Sequence, residues 1–434
     1  MKLKQLILSL VAFLLVGCAS ESMITLSEEN QSIIEEKTQA REGNGSESAT
    51  ESSQNDEEVP EADSVNEVEN VLTEFDTSSW QILEDTSQLA LVDYLPNTTY
   101  QIKQYSNGAT SRVDYPNYLD EALQLMQVES RLDNGDPTVS FYSWGNSQIV
   151  KLSESTELNP YINHLSEITS QENQDSQLLL QAPLAVGTSW QRNASTTSAI
   201  TNVFSQAQLP AGELSNVIEV TSTSQAGELK EYYAQGEGLV ATVEADQNGS
   251  ITQVWQAQAI YHENRIVNEV AVTLPTKDED MIEAGQATFK WQTNGSLTNA
   301  FDEMFKEMNI INDTITIQSV AVEDGVVLLD FTPGVVAVLN SYDAPEQAVI
   351  ASIVTTLGNF FNTEQVRLSV SGNGMLPDTI EYPTNGIYDV STVTQTMEAI
   401  QEESSSESNA SIESSNDSLT TDESQAQTTS GSIQ

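Results

Sequence analysis

Cysteine and histidine are nearly absent from this chain. Cys18 is the only cysteine among 434 residues, which excludes disulfide bonds within the chain and leaves no other thiol for catalysis. His164 and His262 are the only histidines, and neither lies among other metal-ligating residue types at the spacing of a zinc site. No G-x-S-x-G motif marks a serine nucleophile. The sequence therefore predicts no catalytic residue, no metal site and no cofactor.

Basic residues are also scarce. The chain has 15 Lys and Arg residues against 65 Asp and Glu residues, and between positions 77 and 390 the counts are 11 and 40. Because affinity for nucleic acid comes from cationic contacts with phosphate groups, this balance excludes nucleic acid as a partner. A basic surface on another protein, or divalent counterions, would complement the charge.

Long apolar runs are missing except at the N-terminus. Lys2 and Lys4 precede an apolar stretch over residues 6–16 that is too short to span a bilayer. Residues 15–18, Leu-Val-Gly-Cys, resemble the bacterial lipobox, in which a peptidase cuts before a cysteine that carries thioether-linked diacylglycerol. We therefore predict a signal peptide over residues 1–18 and a membrane anchor through diacylglyceryl-Cys18, with the rest of the chain outside the cytoplasm. The alternative is a lone thiol behind an ordinary signal peptide.

Two flanking segments have the composition of disordered chain. Residues 19–76 contain 17 acidic residues and only two basic ones, with many serines between them. Residues 391–434 contain eight acidic residues and no basic one. Segments of this kind cannot bury enough apolar surface to offset the entropy lost on ordering. We predict an acidic tether over the first segment and an acidic, Ser-rich tail over the second.

Residues 77–263 read as an antiparallel β-rich domain. Short runs of strand-forming residues follow one another at intervals of about 8 to 14 residues, and turn residues separate them, which favours a curved or barrel-like sheet. Only residues 159–171 lack a strand pattern, and they predict a long loop or a short helix. Five aromatic residues could line a groove for a sugar or peptide or could be ordinary core residues: Trp144, Trp190, Tyr232, Tyr233 and Trp255.

The many carboxylates leave two weak chemical alternatives open. Paired acids would suit a glycosidase, and the candidate pairs are Glu121 with Glu129 or Asp324 with Asp330. Residues 133–136, Asp-Asn-Gly-Asp, look like the start of a calcium loop, but the downstream Glu at EF-hand spacing is missing. Asp324 is already explained by a turn, so the carboxylates predict no site.

Residues 296–370 have the clearest local pattern in the chain. Apolar residues at spacings of three and four predict a helix from Ser296, and a second helix is predicted from Asp343, with Asp343 and Glu346 as its capping box. Between them, two alternating runs flank an Asp324-Gly325 pair, which predicts a hairpin. A last strand over residues 366–370 ends at a turn. The predicted order is helix, two strands, helix, strand.

These residues resemble the GerMN domain. The likeness rests on SVAVEDGVVLLDFTPG, on a helix containing IVTTLGNF, and on QVRLSVSGNG, and it covers residues 267–375, under a third of the chain. The domain is named for a sporulation and spore-germination lipoprotein of Firmicutes and occurs in other envelope proteins. The resemblance implies a small α+β domain over residues 264–390 that assembles with other proteins, without catalytic residues to transfer.

The sequence thus predicts an α+β protein that works by binding or assembly in the cell envelope and is not an enzyme. Two alternatives remain open: a regulator or sensor of a membrane protein, and an enzyme acting on wall glycans or peptides. The expected partners are the membrane and other envelope or membrane proteins. We place the candidate interface on the edge strand of the hairpin, where unpaired backbone groups could accept an added strand, at Ile315, Ile317, Gln318 and Ser319.

Overall fold

Strands dominate the computed structural model, which describes residues 75–395 apart from residue 134 and the segments 169–175, 263–264, 277–281, 336–344 and 375–384. The strands are β1 (Gln81–Ile82), β2 (Gln101–Ser106), β3 (Ser111–Asp120), β4 (Leu125–Leu132), β5 (Thr138–Trp144), β6 (Gln148–Ser155), β7 (Gln177–Gln181), β8 (Ser189–Asn193), β9 (Thr196–Leu209), β10 (Gly212–Ser224), β11 (Gly227–Ala234), β12 (Gly238–Asp246), β13 (Ile251–His262), β14 (Ile266–Pro275), β15 (Ile282–Trp291), β16 (Ile317–Glu323), β17 (Val326–Phe331), β18 (Gln365–Val370), β19 (Asn373–Gly374) and β20 (Ile387–Asp389). The helices with defined bounds are a 3-10 helix (Leu91–Tyr94), α1 (Leu297–Glu307) and α2 (Glu346–Phe361).

Strands β2 to β13 form an antiparallel meander that closes where β13 pairs with β2. At one seam, between β7 and β8, side chains make the contact. The indole Nε1 of Trp190 donates to the carbonyl of Leu178 at 2.8 Å, and Arg192 Nη2 donates to Gln177 Oε1 at 3.0 Å. The result is a barrel in which one of the seams is held by side chains instead of a backbone ladder. The predicted antiparallel, β-rich architecture is confirmed.

One end of this barrel is closed by the 3-10 helix. Tyr94 of that helix is fully buried, and its hydroxyl donates to the carbonyl of Asn216 at 2.9 Å. The chain leaving the helix runs so close to β12 that a Cβ on Gly238 would lie 1.9 Å from the carbonyl oxygen of Leu95. Glycine is therefore required at position 238, where φ is +67°. Apolar side chains fill the interior at this end, among them Met126, Val128, Ile149, Leu180, Trp190, Ile200, Val203, Ile218 and Val220.

The outer face of strands β2 to β6 is also apolar, and the C-terminal part of the chain covers it. Buried residues of both parts share one hydrophobic cluster, with Ile102, Tyr115, Tyr118, Leu125, Val139, Phe141, Val150 and Leu152 on the barrel side. The backbone N–H of Thr293 donates to the Tyr115 hydroxyl at 2.9 Å. The side chain of Asn294 bonds both the N–H and the carbonyl of Leu119, each at 2.9 Å. The hydrophobic core is thus continuous across residue 263. The domain boundary predicted at that residue stays a prediction.

The connection after β6 lies on the same outer face. Residues 159–168 form neither helix nor strand, as the loop interpretation expects, and residues 169–171 lie outside the described part. Gln127 Nε2 donates to the carbonyls of Pro160 and Ile162, at 2.8 and 3.0 Å, and fixes the loop to β4. The loop buries His164, which is only 8% exposed.

The C-terminal sheet contains a hairpin of β16 and β17, and β18 lies parallel to β17. Asp324 and Gly325 take φ angles of 49° and 78° at the hairpin turn. Ser296 caps α1 by accepting from the N–H of Asn299 at 3.5 Å. The N-cap of α2 is Pro345, which makes no side-chain cap, and the predicted cap Asp343 lies outside the described residues.

Helix α2 packs between this sheet and the β14–β15 hairpin, so it is buried on nearly all sides. The N–H of Thr273 in β14 donates to Thr356 Oγ1 of α2 at 2.9 Å. Aromatic rings fill the space between hairpin, helices and barrel loop, with centroids 4.9 to 6.1 Å apart for pairs drawn from Tyr161, Phe289, Trp291, Phe301 and Phe360. The long β14–β15 hairpin covers α2 on the side away from the sheet, and α1 lies at the edge of β16.

Candidate functional site

The predicted interface lies on β16, which is an edge strand that pairs with β17 on one side. Ile315 and Ile317 are 1% and 2% exposed and belong to the core, so their side chains cannot contact a partner. Gln318 and Ser319 are exposed. Gln318 sits at a bulge, because the ladder shifts register between Ile317 and Ser319. Only the second pair of predicted residues is thus available to another molecule through its side chains.

Helix α1 covers part of the open edge of β16. Asp302 Oδ1 accepts from the N–H of Ile317 at 2.9 Å, and Thr298 Oγ1 accepts from the N–H of Val320 at 3.0 Å. Thr298 and Asp302 are four residues apart and therefore lie on one face of α1. Since the N–H of Val320 points away from β17, the strand alternation also points that of Val322 outward. A partner strand could therefore reach only the half of β16 near Val322.

The carboxylates considered for catalysis have structural roles or lie apart. Glu129 is buried beside Arg131, with which it forms an ion pair, while Glu121 is exposed in the β3–β4 turn. Asp330 Oδ1 accepts from Ser369 Oγ at 2.5 Å and from the N–H of Gly372 at 2.8 Å, so it fixes the turn after β18. Among the described residues, no group of three or more His, Cys, Asp or Glu could hold a metal ion. The structure brings neither proposed pair together as an acid–base couple.

A cavity of about 360 Å³ opens at the end of the barrel opposite the 3-10 helix. It is lined by ends of strands from β3 to β13, and charged side chains stand on its wall: Arg112, Asp114, Lys151, Glu154, Arg192 and Glu231. Strand alternation places these side chains on the inner face, while neighbours such as Tyr115 and Val150 belong to the outer apolar cluster. The interior is thus apolar at the closed end and charged at the open end.

Arg192 and Glu231 form the most buried ion pair of this wall. Their side chains are 7% and 6% exposed, and the guanidinium binds both carboxylate oxygens. Arg192 also donates to Gln177 and Ser222, so each of its three nitrogens is used. Because a charge taken from water needs such complete pairing, these two residues form a fixed part of the wall.

The other two pairs are less enclosed. Arg112 Nε lies 3.0 Å from Asp114 Oδ1, and the guanidinium lies over the ring of Tyr105, 4.3 Å from its centroid, with the Trp255 ring at 5.3 Å. Lys151 Nζ donates to Glu154 Oε2 at 2.5 Å, and the Glu154 side chain is 56% exposed at the rim. The exposed carboxylate of Glu154 is therefore the member of the wall that can most easily leave its partner.

The five aromatic residues considered for a groove do not form one. Trp190 and Tyr233 pack in the apolar interior of the barrel, and Tyr232 packs on the outside against Trp80. Trp255 lines the charged cavity. The core interpretation is thus correct for most of them, although Tyr233 lines the same cavity as Trp255.

Lys103 lies deeper in the barrel and holds the closed end together. Its ammonium donates to the carbonyls of Pro96, Glu237 and Leu239, the latter two at 3.0 Å. Burial lowers the pKa of Lys103 to about 7, against the opposing charges of Asp114 and Glu237, while nearby Arg112 lowers it further. The three carbonyl acceptors also favour the charged form.

We expect this lysine to make stability depend on pH between about 7 and the ordinary lysine pKa. In that range Lys103 is protonated in the unfolded chain and partly deprotonated in the folded chain. The free energy of unfolding should therefore rise with pH, by up to about 1.4 kcal/mol per pH unit. Urea unfolding of wild type and Lys103→Met at pH 7 and pH 9 would measure it. The wild type should gain stability relative to the variant at the higher pH. A difference that stays constant would show that Lys103 is equally protonated in both states.

Comparison with known proteins identifies one part of the chain. Residues 262–375 match the family model described as "Germane: Sporulation and spore germination", which confirms the resemblance stated for residues 267–375. No curated protein matches the chain. None of the described helices is long and apolar enough to cross a membrane.

Two solved structures show limited similarity. One is described as a lipoprotein of Parabacteroides distasonis ATCC 8503, with 14% identity and a TM-score of 0.23, over 39% of this chain and 98% of that one. The other is described as an exported protein with a YmcC-like fold from Bacteroides fragilis NCTC 9343, with 11% identity and a TM-score of 0.23, over 40% of this chain and 100% of that one. At these scores we draw no argument from either.

Proposed function

We propose that this chain, whose residues 262–375 match the Germane family, is a lipid-anchored protein that binds or assembles with other proteins outside the cytoplasm. The family match carries the proposal, because it links the C-terminal sheet and its helices to sporulation and spore germination. A role in one of these processes is the form that the proposal takes in a spore-forming bacterium.

The N-terminal sequence supports an anchor at the membrane. Cys18 follows Leu-Val-Gly behind a short basic and apolar leader, as in bacterial lipoproteins. Acyl chains on this cysteine would contribute about 0.8 kcal/mol for each buried CH₂ group, so two or three chains hold a protein durably. The strongly acidic segment 19–76 would then separate the described fold from the lipid surface.

A binding role agrees with the chemistry of the described residues. The carboxylates with catalytic spacing in the sequence are used for an ion pair and for turns, and His164 is enclosed by the loop after β6. An enzyme of wall glycans or peptides needs a nucleophile or an acid–base pair at a cleft. These observations favour the binding function over the enzymatic alternative.

We further propose that a partner pairs with the half of β16 near Val322, which follows Gln318 and Ser319 along the strand. This half carries the outward backbone groups of Val322, whereas α1 already satisfies the N–H groups of Ile317 and Val320. Strand addition at a free sheet edge takes its affinity from main-chain hydrogen bonds. The exposed polar residues before it keep the edge from self-association.

Val322→Pro should weaken partner capture and leave the fold intact. Proline removes the outward N–H without breaking a bond to β17, and proline is tolerated at such edge positions. Chemical crosslinking in intact cells, followed by purification of the chain, would measure the yield of crosslinked partner.

Val322→Ala is the matched control, because it shortens the same side chain and keeps the backbone donor. Yield should fall for the proline variant alone. Equal yields from both variants, with circular dichroism unchanged, would place the partner elsewhere.

A further inference from the structure

The charged end of the barrel differs from the rest of this acidic molecule. Between residues 77 and 390 only 11 residues are basic, and three of them, Arg112, Lys151 and Arg192, stand on the wall of one cavity. Cationic side chains are costly to enclose and would be better hydrated on the surface of a chain with so many carboxylates. Folding alone does not require three cationic side chains inside the barrel. Their concentration there therefore indicates a function other than stabilising the fold.

The wall carries three cations and three carboxylates, but one of the carboxylates, that of Glu154, is exposed to solvent. Asp114 and Glu231 are enclosed and offset two of the three cations, whereas Glu154 stands 56% exposed at the rim. If the Glu154 carboxylate turns into water, the wall carries one positive charge, centred on Lys151. One negative group of a ligand would restore neutrality.

Hydrogen-bond donors that could bind a negative group of a ligand lie on the wall of the same cavity. Tyr142 lines the same cavity, and burial raises the pKa of its phenol, against the opposing effect of Lys151 and Arg112. Its hydroxyl is therefore neutral and able to donate, and both cations lie near enough to act on it. Arg192 is saturated by Glu231, Gln177 and Ser222. Arg112 pairs with Asp114 through Nε and Nη2, which leaves Lys151 and the remaining N–H groups of Arg112 to bind an anion.

Aromatic and apolar surfaces beside the cations define the remainder of the ligand. The ring of Trp255 lies on one side of Arg112, and Tyr233 and Leu179 line the cavity towards its apolar end. At about 360 Å³ the space is at the small end of the range for small-molecule sites. A small flat or aliphatic group of a ligand would fit between the Trp255 ring and the side chains of Tyr233 and Leu179.

We propose that this cavity binds a small organic monocarboxylate. The carboxylate accepts from Lys151 and Arg112 in place of Glu154, and the apolar body lies against Trp255. This site is separate from the β16 edge and from the anchor, so it goes beyond the proposed function and stands or falls independently of it.

Equilibrium dialysis of labelled benzoate against the purified protein, as isolated from the cell, tests this proposal. Benzoate should be retained saturably, and benzamide, which has the same shape without the charge, should bind at least about tenfold more weakly. Binding of benzamide as tight as that of benzoate, or no saturable retention of benzoate, would overturn the assignment.

Two variants with opposite expected effects identify the residues. Lys151→Gln should weaken benzoate binding about tenfold or more, because a charge-assisted bond is lost. Glu154→Gln should strengthen binding, because the anion competing for Lys151 is removed. Lys230→Gln is the matched control, since Lys230 lies on the outer surface and is paired with Glu228 at 3.7 Å.

Unfolding curves of the variants would show whether each keeps the fold. Lys230→Gln should bind as the wild type does. Unchanged binding in Lys151→Gln, or weaker binding in a folded Glu154→Gln, would contradict the proposed geometry.

Discussion

Replacement of Cys18 by alanine is expected to release the protein from the membrane fraction. In the proposed anchor the sulfur of Cys18 would carry the diacylglycerol, and the chain has no other cysteine to replace it. Labelled fatty acid should therefore enter the wild type and not the variant, and the variant should collect as soluble or uncleaved precursor.

Detergent phase partitioning after labelling would measure both effects. Ser20→Ala, two residues beyond Cys18, is a suitable control and should keep label and membrane association. Equal incorporation of label into the wild type and Cys18→Ala would refute the lipoprotein assignment.

Removal of the Glu231 carboxylate is expected to destabilise the barrel by about 3–5 kcal/mol. Glu231→Leu leaves the Arg192 guanidinium enclosed without its counter-charge, at a position only 7% exposed. Arg192 also donates to Gln177 across the β7–β8 seam, which has no backbone ladder. Disturbing Arg192 therefore weakens one of the contacts that hold this seam. The midpoint of urea unfolding would report the effect.

The double variant Arg192→Met with Glu231→Leu separates charge burial from packing. If the single variant suffers from an unpaired charge, the double variant should recover most of the lost stability. A double variant as unstable as the single one would show that the hydrogen bonds to Gln177 and Ser222 matter more than the charge balance.

Local patterns in the sequence were sufficient for the C-terminal elements. The period of three and four residues after Ser296, its capping role and the Asp324-Gly325 turn all depend on contacts within a few residues. The capping of α2 was not predictable in the same way. The helix begins after Pro345, and fixed φ at that residue replaced a side-chain cap.

Closure of the barrel could not be read from the sequence. Strand β2 pairs with β13, so Gln101 meets His262 across 160 intervening residues, and nothing local specifies that pairing. The cavity depends on the same closure, because Arg112, Lys151 and Arg192 are about 40 residues apart along the chain. A usable signal was the presence of isolated basic residues within strands of an acidic domain.

The predicted interface illustrates a different limit. Alternation within residues 315–322 identified an edge strand, and the structure has one at Ile317–Glu323. Its partial cover by Thr298 and Asp302 comes from a helix whose placement depends on tertiary packing. Sequence periodicity predicts which residues share one face of α1. It does not predict the sheet edge that this face contacts.

The apolar outer face of β2 to β6 has a consequence for the order in which the chain matures. Synthesis runs from the N-terminus, so the barrel can close once His262 has emerged, while its cover, residues 266–393, is still being made. During that interval the loop over residues 159–168 covers part of Tyr118 and Phe141, and the rest of the apolar face, including Tyr115, faces water. The newly made barrel is therefore most prone to aggregate just after it has formed, and a chain that stopped near residue 263 would keep that exposed surface permanently.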